Sequence, residues 1–251
     1  MSGSTLYSEV SVAGDKRIRV ISLQVGLPKT VGIVEGADPH DQRWTTGFFK
    51  HPTTASLWLG RLNLDGDGQA DLDNHGGPDK AVNVYPGEHY PYWTQTIGLT
   101  NLQAGGFGEN FTTEGALESD ICIGDVFEIG ESRVQVSQPR QPCWKLARRW
   151  GVKDLALRVQ ETGRTGWYFR VLREGHVRAG SDLVLVDRPY PRWTVSAANQ
   201  VMHHRLNDRQ AARELANCVP LSSRWRTKLE RRAITGIHEQ TASRLDGPLP
   251  K

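Results

Sequence analysis

Apolar and polar positions alternate along Arg17-Ile18-Arg19-Val20-Ile21-Ser22-Leu23-Gln24-Val25, the period-two signature of a half-buried strand. Further short runs of strand type lie at 55–64, 80–85, 120–128, 132–137 and 183–187. Breaks rich in Gly and Pro separate them, for instance Gly76-Gly77-Pro78 and Gly105-Gly106. Short strands with frequent turn signals predict a β-barrel or sandwich. Two helices interrupt the strands. One is expected over Pro86–Thr96, with its proline in the first turn. The other runs over Val152–Thr162, carries Leu155, Leu157 and Val159, and ends near Gly163.

The period changes after Arg188-Pro189-Tyr190-Pro191. From Thr194 onward helical spacing replaces alternation, in pieces at 194–205, 208–217 and 221–232. Ser222 or Ser223 is placed to cap the last of them. Helices this short need one another to bury their apolar stripes, which predicts a compact three-helix unit. The expected division is a flexible lead at 1–16, a β domain at 17–190, a three-helix domain at 191–238 and a flexible tail at 239–251. The fold class is mainly β with helices, α+β.

The 251 residues suffice for one main domain and a smaller one, and 37% hydrophobic with 24% charged residues is the balance of a soluble globular protein. A net charge of +3 suits an anionic small ligand as well as it suits nucleic acid. The cysteines, Cys122, Cys143 and Cys218, are odd in number, far apart and form no CxxC pair. That pattern argues against a disulfide framework or a tetrahedral zinc site. The opening Met-Ser-Gly-Ser-Thr lacks a basic segment followed by an apolar one, and no run approaches the roughly 20 apolar residues that span a bilayer. The expected location is the cytoplasm, with no membrane partner.

Candidate chemistry concentrates in Ser137-Gln138-Pro139-Arg140-Gln141-Pro142-Cys143-Trp144-Lys145. Two prolines fix backbone angles and remove donors, so the segment reads as a stiff loop leaving a strand. Arg140 and Lys145 lie near the thiol, and positive neighbours favour the thiolate, which attacks electrophiles or binds soft metals. The competing reading of Cys143 is a small buried hydrophobe. For Cys122, in a strand-like run, and Cys218, at a helix end, that packing role prevails.

In Asn74-His75-Gly76-Gly77-Pro78-Asp79-Lys80, two glycines permit close backbone approach, and His75 is either a proton carrier or a solvated turn residue. Gly106-Phe107-Gly108-Glu109-Asn110 is a tight loop whose amides could hold an anion, or a plain turn. Lys29 is either a phosphate ligand or a solvated lysine. Asp65-Gly66-Asp67-Gly68-Gln69-Ala70-Asp71 resembles a calcium loop but carries Ala70 and Gly76 where an EF-hand needs glycine and glutamate, so it reads as an acidic turn. Tyr85-Pro86-Gly87-Glu88-His89-Tyr90-Pro91-Tyr92-Trp93 reads as aromatic packing. The basic face of the last helix, Arg224, Arg226, Lys228, Arg231 and Arg232, reads as solvated, with a nucleic-acid surface as the lesser alternative.

Four segments in order, His75-Gly76-Gly77-Pro78-Asp79-Lys80, Tyr85-Pro86 with His89-Tyr90, Gly108-Glu109-Asn110, and Ser137-Gln138-Pro139-Arg140 with Pro142-Cys143, resemble the MOSC domain. More narrowly they resemble its YiiM branch, which is linked to resistance against 6-N-hydroxylaminopurine. The resemblance runs over residues 17 to 187, and the trailing helices resemble the three-helix domain that follows MOSC in that branch. It implies a β-barrel that binds the molybdenum cofactor, with Cys143 as the protein ligand to molybdenum and His75 as a cleft residue beside it. It implies Lys29 and Arg140 as holders of the pterin phosphate, and Glu109, Asn110 and Lys80 as further cofactor contacts. His51 stands where family members can have a glutamate and is the second candidate proton carrier. The implied activity is reduction of N-hydroxylated compounds to amines, a detoxification, with electrons from a separate flavin or haem protein, since no dinucleotide fingerprint is present. The alternative is a non-redox carrier of the cofactor, or of persulfide sulfur on Cys143. A homodimer is compatible with either, and nucleic acid is disfavoured as a partner.

Overall fold

The computed structural model describes residues 17–34 and 42–247. The strands are β1 Ile18–Val25, β2 Lys29–Val31, β3 Trp44–Thr46, β4 His51–Thr53, β5 Leu57–Leu59, β6 Val82–Pro86, β7 Phe111–Glu114, β8 Val126–Ile129, β9 Ser132–Pro139, β10 Trp167–Arg173, β11 Gly175–Val177 and β12 Asp182–Asp187. The helices are α1 Leu72–His75, α2 His89–Ile97, α3 Lys145–Trp150, α4 Leu155–Thr162, α5 Val195–Asn199, α6 Arg209–Ala216, α7 Ser223–Thr235 and α8 Ala242–Leu245.

The order β12-β8-β9-β10-β6-β7-β1 closes into a barrel because β1 also pairs with β12, Ile18 opposite Leu183. Closure removes the exposed sheet edges that a seven-strand sheet of this length would otherwise leave. Within the ring the β6–β7 pair is parallel and the others are antiparallel. Inward residues such as Val20, Leu23, Phe111, Phe127, Val134, Val136 and Phe169 fill the interior. β6 is buried along its whole length, so Val82-Asn83-Val84-Tyr85-Pro86 shows no alternation. On its outer side Tyr85 stacks on Phe107, with ring centroids 4.2 Å apart, and Trp93 of α2 donates to the Tyr85 hydroxyl at 2.6 Å.

The expected barrel-or-sandwich strands are present, with additions and shifts. β7 and β10 were not expected from the pattern. β7 offers one aromatic among threonines, and Arg170 and Arg173 interrupt the apolar run of β10. The first interrupting helix starts later than expected. Pro86 is the last residue of β6, and Pro91 stands inside the first turn of α2, where a missing N–H costs nothing. α4 ends at Gly163 in the left-handed conformation, as its sequence indicates.

The helical unit forms as expected, with Ser222 as the cap of α7, accepting from Trp225 N. α5 continues into a π-turn over Gln200–His204. The unit is fused to the barrel rather than appended. Val195 N donates to Ile121 O and Ser222 N to Ser137 O, at 2.8 and 2.9 Å, and Leu215, Leu229 and Trp225 share one core with the barrel interior. The expected flexible tail is also revised. Residues 239–247 include α8 and pack against the Cys143 loop, with Trp144 N donating to Arg244 O at 2.8 Å. The expected lead at 1–16 and the last four residues lie outside the described residues. Among the described residues no helix is long and apolar enough to cross a membrane.

His203, in the π-turn, lies against Trp225 with its Nε2 buried and without a partner among the described residues. Burial first, and then Arg244, His204, Arg232 and Lys228, lower its pKa from 6.5 to about 3. The unfolded chain therefore binds this proton more readily. Stability is full above pH 6.5 and falls as pH drops toward 3, at about 1.4 kcal/mol per pH unit for each such histidine. We predict that His203→Gln flattens this acid slope. Urea unfolding at pH 7.5, 6 and 5 reads the change directly, and an unchanged slope refutes it.

Candidate functional site

β9 ends at Pro139, and the chain turns through Arg140-Gln141-Pro142 to place Cys143 immediately before the Trp144 cap of α3. The stiff loop predicted from the prolines is present. The facing wall is the turn over 71–80. Asp71 caps α1 by accepting from Asn74 N at 3.0 Å, and Asn74 Nδ2 donates to its second oxygen at 3.0 Å. Burial opposes ionisation of Asp71, yet these bonds, with His75 and Lys145 nearby, hold its carboxyl below the usual range. Gly77, at a positive φ of 92°, then reverses the chain into a short turn that aims Lys80 back at the same cleft. Lys80 Nζ donates to Asn74 O at 2.5 Å.

The two loops bring His75 Nε2 to 3.9 Å from Cys143 Sγ. Around this pair the cleft has an inner and an outer lobe, both lined by His75, Lys80, Cys143, Lys145 and Tyr168. The inner lobe adds Lys50 and Arg140 and has no carboxylate in its lining. Arg140 is buried. Its Nη2 donates to Phe107 O at 3.1 Å, while Nη1 has no partner among the described residues. Burial, followed by the charges of Lys145 and Lys80, drives the pKa of His75 down to about 3, so at neutral pH the ring is uncharged. Burial also raises Tyr168, which stays protonated. Burial, with Arg224 and Lys228 next, lowers Lys80 to about 8. The arrangement suits an anionic ligand held beside one soft sulfur.

A model of the MOSC domain matches residues 71–184, and a model of the YiiM-like 3-alpha helix domain matches 193–232. The uncharacterized protein YflK of Bacillus subtilis is 46% identical over 211 residues, 84% of this chain and 92% of that protein. Protein YiiM of Escherichia coli is 39% identical over 193 residues, 76% of this chain and 86% of that one. The chain belongs to the YiiM-like MOSC family. The solved structure of YiiM from Geobacillus stearothermophilus superposes with a TM-score of 0.72 at 36% identity, covering 86% of this chain and 99% of that one. YiiM from Escherichia coli gives 0.71 at 36% identity, with 78% and 93% covered. A protein of Gibberella moniliformis named reductase is 34% identical over 164 residues, 64% of this chain and 29% of that longer protein. MOSC domains as a class are associated with molybdenum-cofactor binding.

Of the residues that the MOSC resemblance singled out, Cys143, His75, Lys80 and Arg140 converge on the cleft. The others are placed differently. His51 is exposed on β4 and faces a separate groove beside Arg149 and Trp150. Its neighbour Lys50, just ahead of β4, is the residue that reaches the cleft, and it borders the His51 groove as well. Lys50 pairs with buried Asp67 of the acidic turn, and burial outweighs that attraction to lower its pKa. Lys29 is exposed on β2 with its ammonium 4.3 Å above the Phe49 ring, and lines neither lobe.

Glu109 is fully buried with its carboxylate consumed by its own surroundings. It accepts from Gly105 N, Phe107 N and Thr112 Oγ1 at 2.7, 3.0 and 2.8 Å, and from the Tyr90 hydroxyl. It shapes the loop rather than offering itself to a cofactor. Asn110 lines the inner lobe, yet its amide is committed to Asp67, to Gln24 O and to Asn83 N. Lys50, Tyr168 and the α7 cations were missed as site residues. Lys50 adjoins the marked His51, and Lys145 was marked only as a positive neighbour of the Cys143 thiol. We predict that Glu109→Ala, which strands four buried donors, destabilises the fold by about 3 kcal/mol or more. Thermal unfolding of the purified variant measures this, and a midpoint equal to the parent refutes the clamp.

Proposed function

We propose that this chain is a molybdenum-cofactor-dependent reductase that converts N-hydroxylated compounds, hydroxylaminopurine-type bases among them, to amines. The observation that carries the reading is Cys143 Sγ at 3.9 Å from His75 Nε2 in a cleft whose inner lobe is lined by cations and no carboxylate. Among the described residues no group of three or more His, Cys, Asp or Glu side chains could hold a bare metal ion. One thiol suits a metal that arrives with its own sulfur ligands. The unpartnered Nη1 of Arg140 is a buried donor that an anionic cofactor group would satisfy.

In the reaction the N–O bond breaks, an N–H bond forms, and the oxygen leaves as water, with two protons and two electrons consumed. When bound, the cofactor supplies the electron pair, replenished by a separate flavin or haem protein. Cys143 is the residue that would hold the metal. Arg140 and Lys80 would hold anionic groups by charge-assisted hydrogen bonds. His75 is neutral, so it acts as a relay: one ring nitrogen accepts a proton while the other donates. Tyr168, kept protonated by burial, is a second donor on the cleft wall.

The decisive test is Cys143→Ser. The variant is expected to unfold at the parental temperature and to lose bound molybdenum, counted by mass spectrometry. Turnover of N-hydroxylated substrates should fall by at least roughly 100-fold, the upper end of the loss caused by removing an outer-shell partner. Cofactor-loaded Cys143→Ala that turns over at the parental rate would falsify the assignment. His75→Ala is expected to retain molybdenum and lose rate, which separates relay from ligand.

A further inference from the structure

The outer lobe, a cavity of about 470 Å³, lies between the barrel and the C-terminal region. That volume is of the size that takes drug- or nucleotide-sized ligands. Five cations line it: Lys80 and Lys145 from the barrel, Arg224 and Lys228 from α7, and Arg244 from α8. Two carboxylates oppose them. Asp71 is occupied in capping α1, and Glu239 pairs with Lys228 at 2.7 Å. The lobe also presents Trp44 and Trp144, with ring centroids 5.5 Å apart, as apolar aromatic surface. A cationic rim beside indole faces is the chemistry that receives an aromatic base carrying a phosphate. Lys80 and Lys145 line both lobes, so Arg224, Lys228 and Arg244 are the charge that the outer lobe adds to the inner one.

We propose that Arg224 and Lys228 of α7 form a phosphate subsite, and that the substrate is an N-hydroxylated nucleotide rather than the free base. This rests on the reductase reading and adds the substrate class to it. The three-helix domain then supplies specificity that the barrel alone lacks.

The test is titration calorimetry of cofactor-loaded and cofactor-free protein with adenosine 5′-monophosphate, adenosine and adenine. On the loaded protein the monophosphate should bind at least about tenfold more tightly than adenosine. Lys228→Gln should lower that preference, and Glu239→Gln, which frees Lys228, should raise it. Opposite signs from two neighbouring variants distinguish charge recognition from lost folding. Equal affinity for nucleotide and nucleoside overturns the proposal. So does nucleotide binding confined to cofactor-free protein, with pterin content falling in Lys228→Gln, because the phosphate site would then belong to the cofactor. Turnover of N-hydroxyadenine as fast as of its monophosphate also overturns it while leaving the reductase reading intact. Selective nucleotide binding without turnover upholds the subsite and removes the reductase reading instead.

Discussion

Arg140 leaves the end of β9 and buries its guanidinium in the cleft wall, with Nη2 on Phe107 O and Nη1 without a partner among the described residues. A charge withdrawn from water without a counter-ion costs several kcal/mol, and the fold must hold it there. The grip comes from two sides. Arg140 N donates to Gly166 O at 3.1 Å, fixing the strand end, and the Glu109 carboxylate fixes the loop that carries Phe107. Glu109 is thus spent on the scaffold that holds the Phe107 carbonyl against Arg140. Asp67 offsets the charge of Lys50, and no carboxylate lines the inner lobe itself, so Arg140, Lys80 and Lys145 are the cations that face it without an ion pair among the described residues.

The outer wall is held by the C-terminal helices. Arg224 donates to Asp73 O and to Asn74 Oδ1, at 2.5 and 2.9 Å, which ties α7 to the turn bearing His75. Arg244 donates to Pro142 O and to Gln160 Oε1, which ties α8 to the Cys143 loop. The thiol and the imidazole therefore face one another across a gap braced from one structural unit. Loops of this length, left to themselves, sample many arrangements, and their ordering entropy must be met by such contacts. This is a physical reason for a helical domain to follow the barrel in one chain.

Much of the site was legible in the sequence because its chemistry sits on loops with strong local signatures. The prolines around Cys143 announced a rigid strand exit, and Gly76-Gly77-Pro78 announced a tight turn at His75. What was not legible depends on phase and on tertiary contact. His51 opens β4 while Lys50 lies just ahead of it, and it is Lys50 that reaches the cleft, held there by Asp67 of the acidic turn. Glu109 reads as an available acid until its four donors are seen. The basic stripe of α7 reads as solvated, yet Arg232 is buried on Met202 O and Val201 O while Arg224 and Lys228 turn to the cleft. β7 and β10 escaped because a closed barrel buries residues that their own periodicity does not mark.

The shifted groups of the cleft share one electrostatic cause beyond burial. His75 is held neutral by Lys145 and Lys80, and Lys80 is itself weakened by Arg224 and Lys228. Each cation raises the cost of the next, so the empty cleft carries repulsion that an incoming anion relieves. Linkage makes the relief mutual: an anion that binds the lysines raises the proton affinity of the imidazole by the same free energy with which protonation strengthens anion binding. Protonation of His75 is thereby coupled to anion occupancy of the cleft. His75 and the cationic wall are one set of charges, and neither can be altered without moving the other.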